Sequence, residues 1–227
     1  MASDSQSTKD RLLDAAERLF AQHGFDGVSI RDLSSEADVN VAAVNYHFQS
    51  KENLYDATLI RRIKPIKARV LQAIAQVTTD SENRPDLEEL IRAFVHTYLE
   101  DALSEPDGDT VLQLMVREIH TPHRAGGPLF KELVVPVHRV FLEALSRARP
   151  DLDSQRLLWI IASIIGQVIH FMIRWRRSSL PQGEGSEETP RDLFPPLVSS
   201  LDSYIHQVVD HVTCFSLGGI EACARDH

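Results

Sequence analysis

Ser29-Ile-Arg-Asp-Leu-Ser-Ser-Glu-Ala-Asp-Val-Asn-Val-Ala-Ala-Val-Asn-Tyr-His-Phe-Gln-Ser-Lys-Glu-Asn-Leu-Tyr55 decides the fold. The stretch reads as two short helices joined by a tight turn, followed by the start of a third. Ser29 caps a helix opening Ile30-Arg31-Asp32-Leu33, and Asp32 three residues on completes a capping-box pattern. Asp38 falls where the chain turns sharply, and Asp is one of few residues besides Gly that tolerates a left-handed conformation. Asn40 suits the cap of a second helix, Val41 to about His47. Ser50 suits the cap of a third, with Glu52 favourable in its first turn.

Ile30, Leu33, Ala37, Val39, Val44 and Phe48 are expected to share one small core. Arg31, Asn45, Tyr46, His47 and Lys51 are left facing outward. Two helices in this arrangement present the second one to the DNA major groove. Ser29, Arg31, Asn40, Val41, Ala42, Ala43, Asn45, Tyr46, His47 and Lys51 are the expected DNA-contacting residues. Arg31, Lys51 and helix N-termini are expected at phosphates. Asn45 carries an amide that can pair with adenine.

Working outward from this stretch, several spaced motifs agree. Arg11 to Phe20 forms an opening helix, and His23-Gly24-Phe25 a Gly-aromatic stop. Val28 to Leu33 leads into the second helix, and Tyr46-His47-Phe48-Gln49-Ser50-Lys51-Glu52-Asn53-Leu54 follows. Together residues 10–60 resemble the DNA-binding domain of the tetracycline-repressor (TetR) family. The chain departs from that pattern at Asp38, where the family usually has Gly. It also departs at Asn40, usually Ser or Thr, and at Asn45, usually Tyr. These departures bear on the operator sequence.

The 227 residues are long enough for one small and one larger domain, and 43 % are hydrophobic. We expect a helix-turn-helix domain at 1–55 and a helical effector-binding and dimerisation domain at 56–227. No strand pattern appears, so the expected fold class is all-α. The net charge of −9 is carried entirely by residues 70–227, while residues 1–69 hold equal numbers of acidic and basic side chains. Cys214 and Cys223 imply no disulfide framework. His120 with His123, and His206 with Asp210 and His211, are short constellations without a second half, so no metal is expected. The N-terminal residues are polar, so no signal peptide is expected. The apolar run Leu157 to Ile173 is slightly short for a membrane span and is interrupted by Ser163, Gln167 and His170.

Beyond residue 50 the pattern stays helical, with Pro65 expected to kink or end one helix and Pro136 to bend another. A long apolar helix is expected over 154–177, a loop over 181–190, and a last helix from Leu193 to about Phe215. The apolar faces of these two helices suggest a four-helix dimer interface, which the family resemblance also implies. Trp159, Ile161, Ile165, Ile169, Leu201, Ile205 and Val208 are its expected residues. Arg117, Glu118, Gln167 and His170, polar residues on apolar faces, with Phe94, Tyr98, Met115, Phe171 and Trp175 as walls, are the candidates for an effector pocket.

The sequence therefore reads as a cytoplasmic homodimer that binds double-stranded DNA and a small-molecule effector, with no cofactor. It carries no nucleophile elbow, P-loop or dinucleotide fingerprint. Two alternatives stand beside this reading. One is a helical enzyme using His120, His123 or Glu118. The other is a dimerising module with a vestigial DNA-binding head.

Overall fold

The computed structural model describes residues 7–79, 84–103, 108–120, 127–179 and 200–225. Among the described residues every regular element is helical. Helix α1 (Thr8–His23) opens under the Ser7 side chain, which accepts from the Asp10 N–H, and ends at Gly24, whose φ of +73° suits a residue without a side chain. Helices α2 (Ile30–Glu36) and α3 (Val41–Phe48) follow. Helix α4 (Lys51–Thr79) is long and runs through Pro65 without a break. The proline therefore removes one N–H donor from the helix without ending it.

Helices α5 (Leu87–Leu103) and α6 (Gly108–His120) come next. Helix α7 (Val135–Ala148) is preceded by a π-helical turn at Phe130–Val134. That turn lies immediately before Pro136, which cannot donate to Glu132, and the Val135 N–H bonds Phe130 O instead. Helices α8 (Ser154–Ser179) and α9 (Leu201–Arg225) complete the chain. The last helix runs ten residues beyond the end expected at Phe215. Its expected start at Leu193, the 181–190 loop, Thr121, Pro122 and His123 lie outside the described residues.

Contacts group the chain into two compact units. One comprises residues 1–68 with 107–136, the other 69–106 with 137–227. The first unit thus extends past residue 55 and includes α6. Its core holds Leu12, Phe20, Leu33, Val44 and Leu54, all fully buried. Phe20 and Phe25 each meet the Tyr55 ring edge-on, at 4.9 and 5.2 Å. In the second unit the Phe94 and Phe141 rings stack at 4.0 Å, and α5 packs on both α8 and α9.

Helix α8 buries Leu157, Ile161, Ile164, Val168 and Met172, a spacing of three and four that marks one face. Its segment Ser154–Trp175 is long and apolar enough to cross a membrane by composition, contrary to the shorter run read from sequence. Here it is a helix with one side packed in the second unit. The exposed side carries Leu158 and Trp159, 50 % and 69 % exposed.

Candidate nucleic-acid interface

The local chemistry of residues 29–51 builds one rigid platform. Ser29 Oγ accepts from the Asp32 N–H at 3.2 Å, and the Asp32 carboxylate accepts from the Ser29 N–H at 2.8 Å. The reciprocal pair satisfies two donors that a helix start otherwise leaves open. Hydrogen bonds from the Ser29 hydroxyl and N–H hold the Asp32 carboxyl below its usual range. Asp38 adopts φ +52°, and the Val39 N–H closes onto Ser34 O. The turn therefore uses Asp where the related pattern uses Gly. Asn40 Oδ1 then accepts from the Ala42 N–H at 2.8 Å and starts α3.

Helix α3 is anchored by two buried side chains one turn apart, Val44 and Phe48. Leu33 and Ala37 of the preceding segment are buried too, while Ile30 and Val39 are half-buried. The opposite face of α3 is bare. Tyr46 is 83 % exposed and Val41 43 % exposed, and Ala42 and Asn45 are exposed beside them. His47 is half-buried, with its ring 4.9 Å from that of Tyr46. Arg31 is exposed on α2. Sequence reasoning did not foresee that Gln49 takes φ +69° to end α3, so a second left-handed residue brackets the helix.

Lys51 has partners within the protein itself. Its ammonium donates to Phe25 O and to Val28 O, both at 3.0 Å, and lies 4.1 Å above the Phe25 ring. The side chain clamps the loop between α1 and α2, using two of the ammonium's three donors. The open concavity of about 620 Å³ beside it also holds Asp26, Asp32 and Glu52. Three carboxylates make that hollow a poor phosphate seat.

The platform is braced from behind. Arg18 donates to Glu36 through Nε and Nη2 at 3.1 and 2.9 Å, tying α1 to α2. Arg11 reaches Asp38 O at the turn at 3.3 Å. The Glu17 carboxylate, 4 % exposed, accepts from Arg61 Nη2 at 2.9 Å and from Arg62 Nε at 2.7 Å. Asp14 adds a 2.7 Å contact to Arg61, so α1 and α4 are bolted together by four charges.

Two residues expected in an effector pocket join this unit instead. Arg117 donates to Ala21 O and Gln22 O, both at 2.9 Å, filling carbonyls that the end of α1 leaves open. Its Nη1 lies 3.3 Å from where a side chain on Gly24 would begin, which gives Gly24 a second reason to be glycine. Glu118 is fully buried and accepts from the Tyr55 hydroxyl at 2.9 Å. Neighbouring residues of α6 thus hold α1 and α4 at once. Met115 is half-buried on the same helix.

The other effector candidates lie in the second unit. Phe94 is buried beside Tyr98, with ring centroids 4.9 Å apart. Phe171 O accepts from the Tyr204 hydroxyl at 2.8 Å, and Trp175 packs on the Tyr204 ring at 4.5 Å. Gln167 donates to Ser163 O within α8, and His170 is exposed. The nine candidates are therefore divided between two units.

The expected dimer residues divide as well. Ile161, Ile205 and Val208 are buried inside their own chain, at 1 %, 4 % and 4 % exposure, so they are core. Ile165, Ile169 and Leu201 are half-buried, and only Trp159 stands fully clear. Phe215, unassigned from sequence, is 65 % exposed on α9. It shares with Trp159, Gly219 and Cys223 an apolar groove of about 270 Å³ between α8 and α9. Gly166, Gly218 and Gly219 have open space where a side chain would stand.

Known proteins agree with this arrangement. Residues 12–58 match the model for bacterial regulatory proteins of the tetR family, and residues 92–202 match a tetracyclin repressor-like C-terminal domain. A probable HTH-type transcriptional regulator, YttP of Bacillus subtilis, is 35 % identical over 75 residues, covering 33 % of this chain and 36 % of its own. The biofilm operon negative transcriptional regulator IcaR of Staphylococcus aureus is 33 % identical over 51 residues, covering 22 % and 27 %. The chain therefore spans only about a third of the length of these curated relatives. A TerR/AcrR-family transcriptional regulator from Aquifex aeolicus shares the fold with a TM-score of 0.58 at 16 % identity, covering 92 % of this chain and 99 % of its own. These relatives are regulators rather than enzymes, which sets aside the helical-enzyme reading. Its Glu118 is occupied by Tyr55, and its His120 side chain and His123 lie outside the described residues. Both ends of the chain lead to one family, and with its braced platform and bare α3 face this protein belongs to it as a TetR-family transcriptional regulator.

Proposed function

We propose that the chain is a repressor that binds a two-fold operator as a homodimer and is released by a small-molecule effector. The bare face of α3 carries the reading. A helix anchored by Val44 and Phe48 that exposes Val41, Ala42, Asn45 and Tyr46 has the form of a major-groove reader. Asn45 is the base-reading residue, because its amide can donate to and accept from adenine together. Tyr46, Arg31, Ser29 and the exposed end of Asn40 are backbone contacts, with His47 and Ala43 at the edge.

A two-fold operator needs two heads, and the exposed Leu158, Trp159 and Phe215 on α8 and α9 are the surface we assign to pairing. Large apolar side chains of this kind are costly to leave in water. The name of the S. aureus relative, a negative regulator, supports repression. DNA binding sets the protein's site of action in the cytoplasm. The effector would act by favouring one of two head arrangements, since only differential affinity shifts an equilibrium.

Fluorescence anisotropy on selected genomic fragments, with random DNA as control, tests the reading. Asn45→Ala is expected to lose discrimination at one base position per half-site, about 1–3 kcal/mol. Tyr46→Ala weakens both DNAs, and Phe215→Glu yields monomers with weak operator binding. Selective binding that survives Asn45→Ala and Tyr46→Ala unchanged would refute the assignment of α3.

A further inference from the structure

Helices α5 and α9 form an outward strip in the second unit that the functions above do not use. Arg92 Nη1 meets Asp210 Oδ1 at 2.5 Å. One helical turn along, His96 faces His206, with ring centroids 6.4 Å apart and ring planes at 84°. In sequence, His206 stands near Asp210 and His211 on one helix. The structure separates them: Asp210 is occupied by Arg92, and His211 stacks on Phe215. The partner of His206 lies more than a hundred residues earlier in the chain.

The two rings are placed alike on their helices. His206 Nδ1 lies 2.8 Å from Asp202 O, and a carbonyl oxygen only accepts. Nδ1 therefore carries the proton, and the lone pair is on Nε2. His96 Nδ1 lies 3.5 Å from the Glu100 carboxylate, one turn along its own helix, so on both rings it is Nδ1 that faces an oxygen of its own helix. An imidazole whose Nδ1–H is held by a carbonyl or a carboxylate is the usual form of a metal-binding histidine.

We propose that His96 and His206 bind a divalent ion of the Zn²⁺ or Ni²⁺ class through their two Nε2 atoms, bridging α5 and α9. Imidazole suits these ions better than Mg²⁺ or Ca²⁺. A Zn–N bond is about 2.0–2.1 Å, and the ring centre lies roughly 1.1 Å further, so tetrahedral binding sets the centroids about 5 Å apart. The rings must close by about 1 Å, within reach of side-chain rotation because both are solvent-accessible. Among the described residues no three His, Cys, Asp or Glu form a ready cluster, so water completes the coordination sphere. Glu100 acts as a positioning residue through His96.

Calorimetric titration of Zn²⁺ into the chelator-treated full chain tests the site, with Mg²⁺ as the contrast. The expected result is one Zn²⁺ per chain, lost in His96→Gln and in His206→Gln but kept in His211→Gln. Glu100→Gln weakens binding about tenfold, as loss of such a supporting group does elsewhere. Imidazole NMR of the wild type gives a second readout that needs no variant: Zn²⁺ should shift the Nε2 resonances of His96 and His206 together. Absence of Zn²⁺ uptake overturns the proposal. So does uptake undiminished in both histidine variants, or a shift confined to other histidines.

Discussion

Tyr55→Phe isolates one hydrogen bond in the braced head. The Tyr55 hydroxyl donates to Glu118 at 2.9 Å, with Tyr55 3 % and Glu118 0 % exposed. Phenylalanine keeps the ring, so the edge-on contacts with Phe20 and Phe25 survive and the packing term is close to zero. What is lost is a donor to a buried carboxylate, and a hydrogen bond to a charged group contributes about 1.5–3 kcal/mol. The expected loss is about 2 kcal/mol, which for a chain of this length lowers the melting temperature by roughly 4–8 °C.

The assay is thermal and urea unfolding of wild type, Tyr55→Phe, Glu118→Gln and the double variant. Glu118→Gln retains an acceptor but removes the charge, so the cycle measures how strongly the two residues are coupled. Coupling above about 1 kcal/mol is expected for a buried contact of this kind. The reasoning fails if Tyr55→Phe unfolds within about 0.5 kcal/mol of wild type, the range of an ordinary surface substitution. It also fails if the two single losses simply add. Success would have a functional corollary, because α6 holds α1 through Arg117 and α4 through Glu118 at adjacent positions. Under the function proposed above, weakening one grip should then alter the response to effector more than operator binding without effector.

Glu17→Ala should cost about 2 kcal/mol in chemical denaturation, because it removes the buried carboxylate that accepts charge-assisted hydrogen bonds from both Arg61 and Arg62, while Arg61 keeps Asp14. Ser29→Ala breaks the capping box and should cost about 1 kcal/mol, read as a shift in urea midpoint with unchanged slope. Burial pushes the Tyr204 phenol up to about 12, above its value of about 10 in an unfolded chain. Folding therefore favours the neutral phenol: its contribution is complete below pH 10 and fades as pH rises from 10 to 12. Melting temperature against pH should fall across that window in wild type, and less steeply in Tyr204→Phe.

The head was legible because its signals are local. Ser29 with Asp32, Asp38 at a left-handed turn and Asn40 before α3 each act within four residues, and each does in the structure what its chemistry suggests. The bracing role of Lys51 was not legible for the opposite reason. Position at a helix start suggested phosphate, but its partners Phe25 O and Val28 O lie 26 and 23 residues earlier, and no pattern in sequence displays a loop carbonyl. Arg117 and Glu118 show the same limit at separations of 96 and 63 residues. A charged residue on an apolar helix signals that a partner exists, without saying whether it is a ligand or the protein's own backbone.

Helix α8 carries the limit one step further. Hydrophobicity around its whole circumference demands cover on most sides, but the demand is equal for a core and for an interface. Only packing divides the two: Ile161 is consumed by its own chain, while Trp159 and Leu158 are left over. The residues that remain exposed after folding are therefore better evidence for pairing than the residues that are most apolar. By that criterion Phe215, on a helix stretch also bearing Gly218 and Gly219, outranks Ile205 and Val208. A large side chain and a gap of glycine size on one face are what a self-complementary surface requires, since a two-fold axis makes each copy supply both.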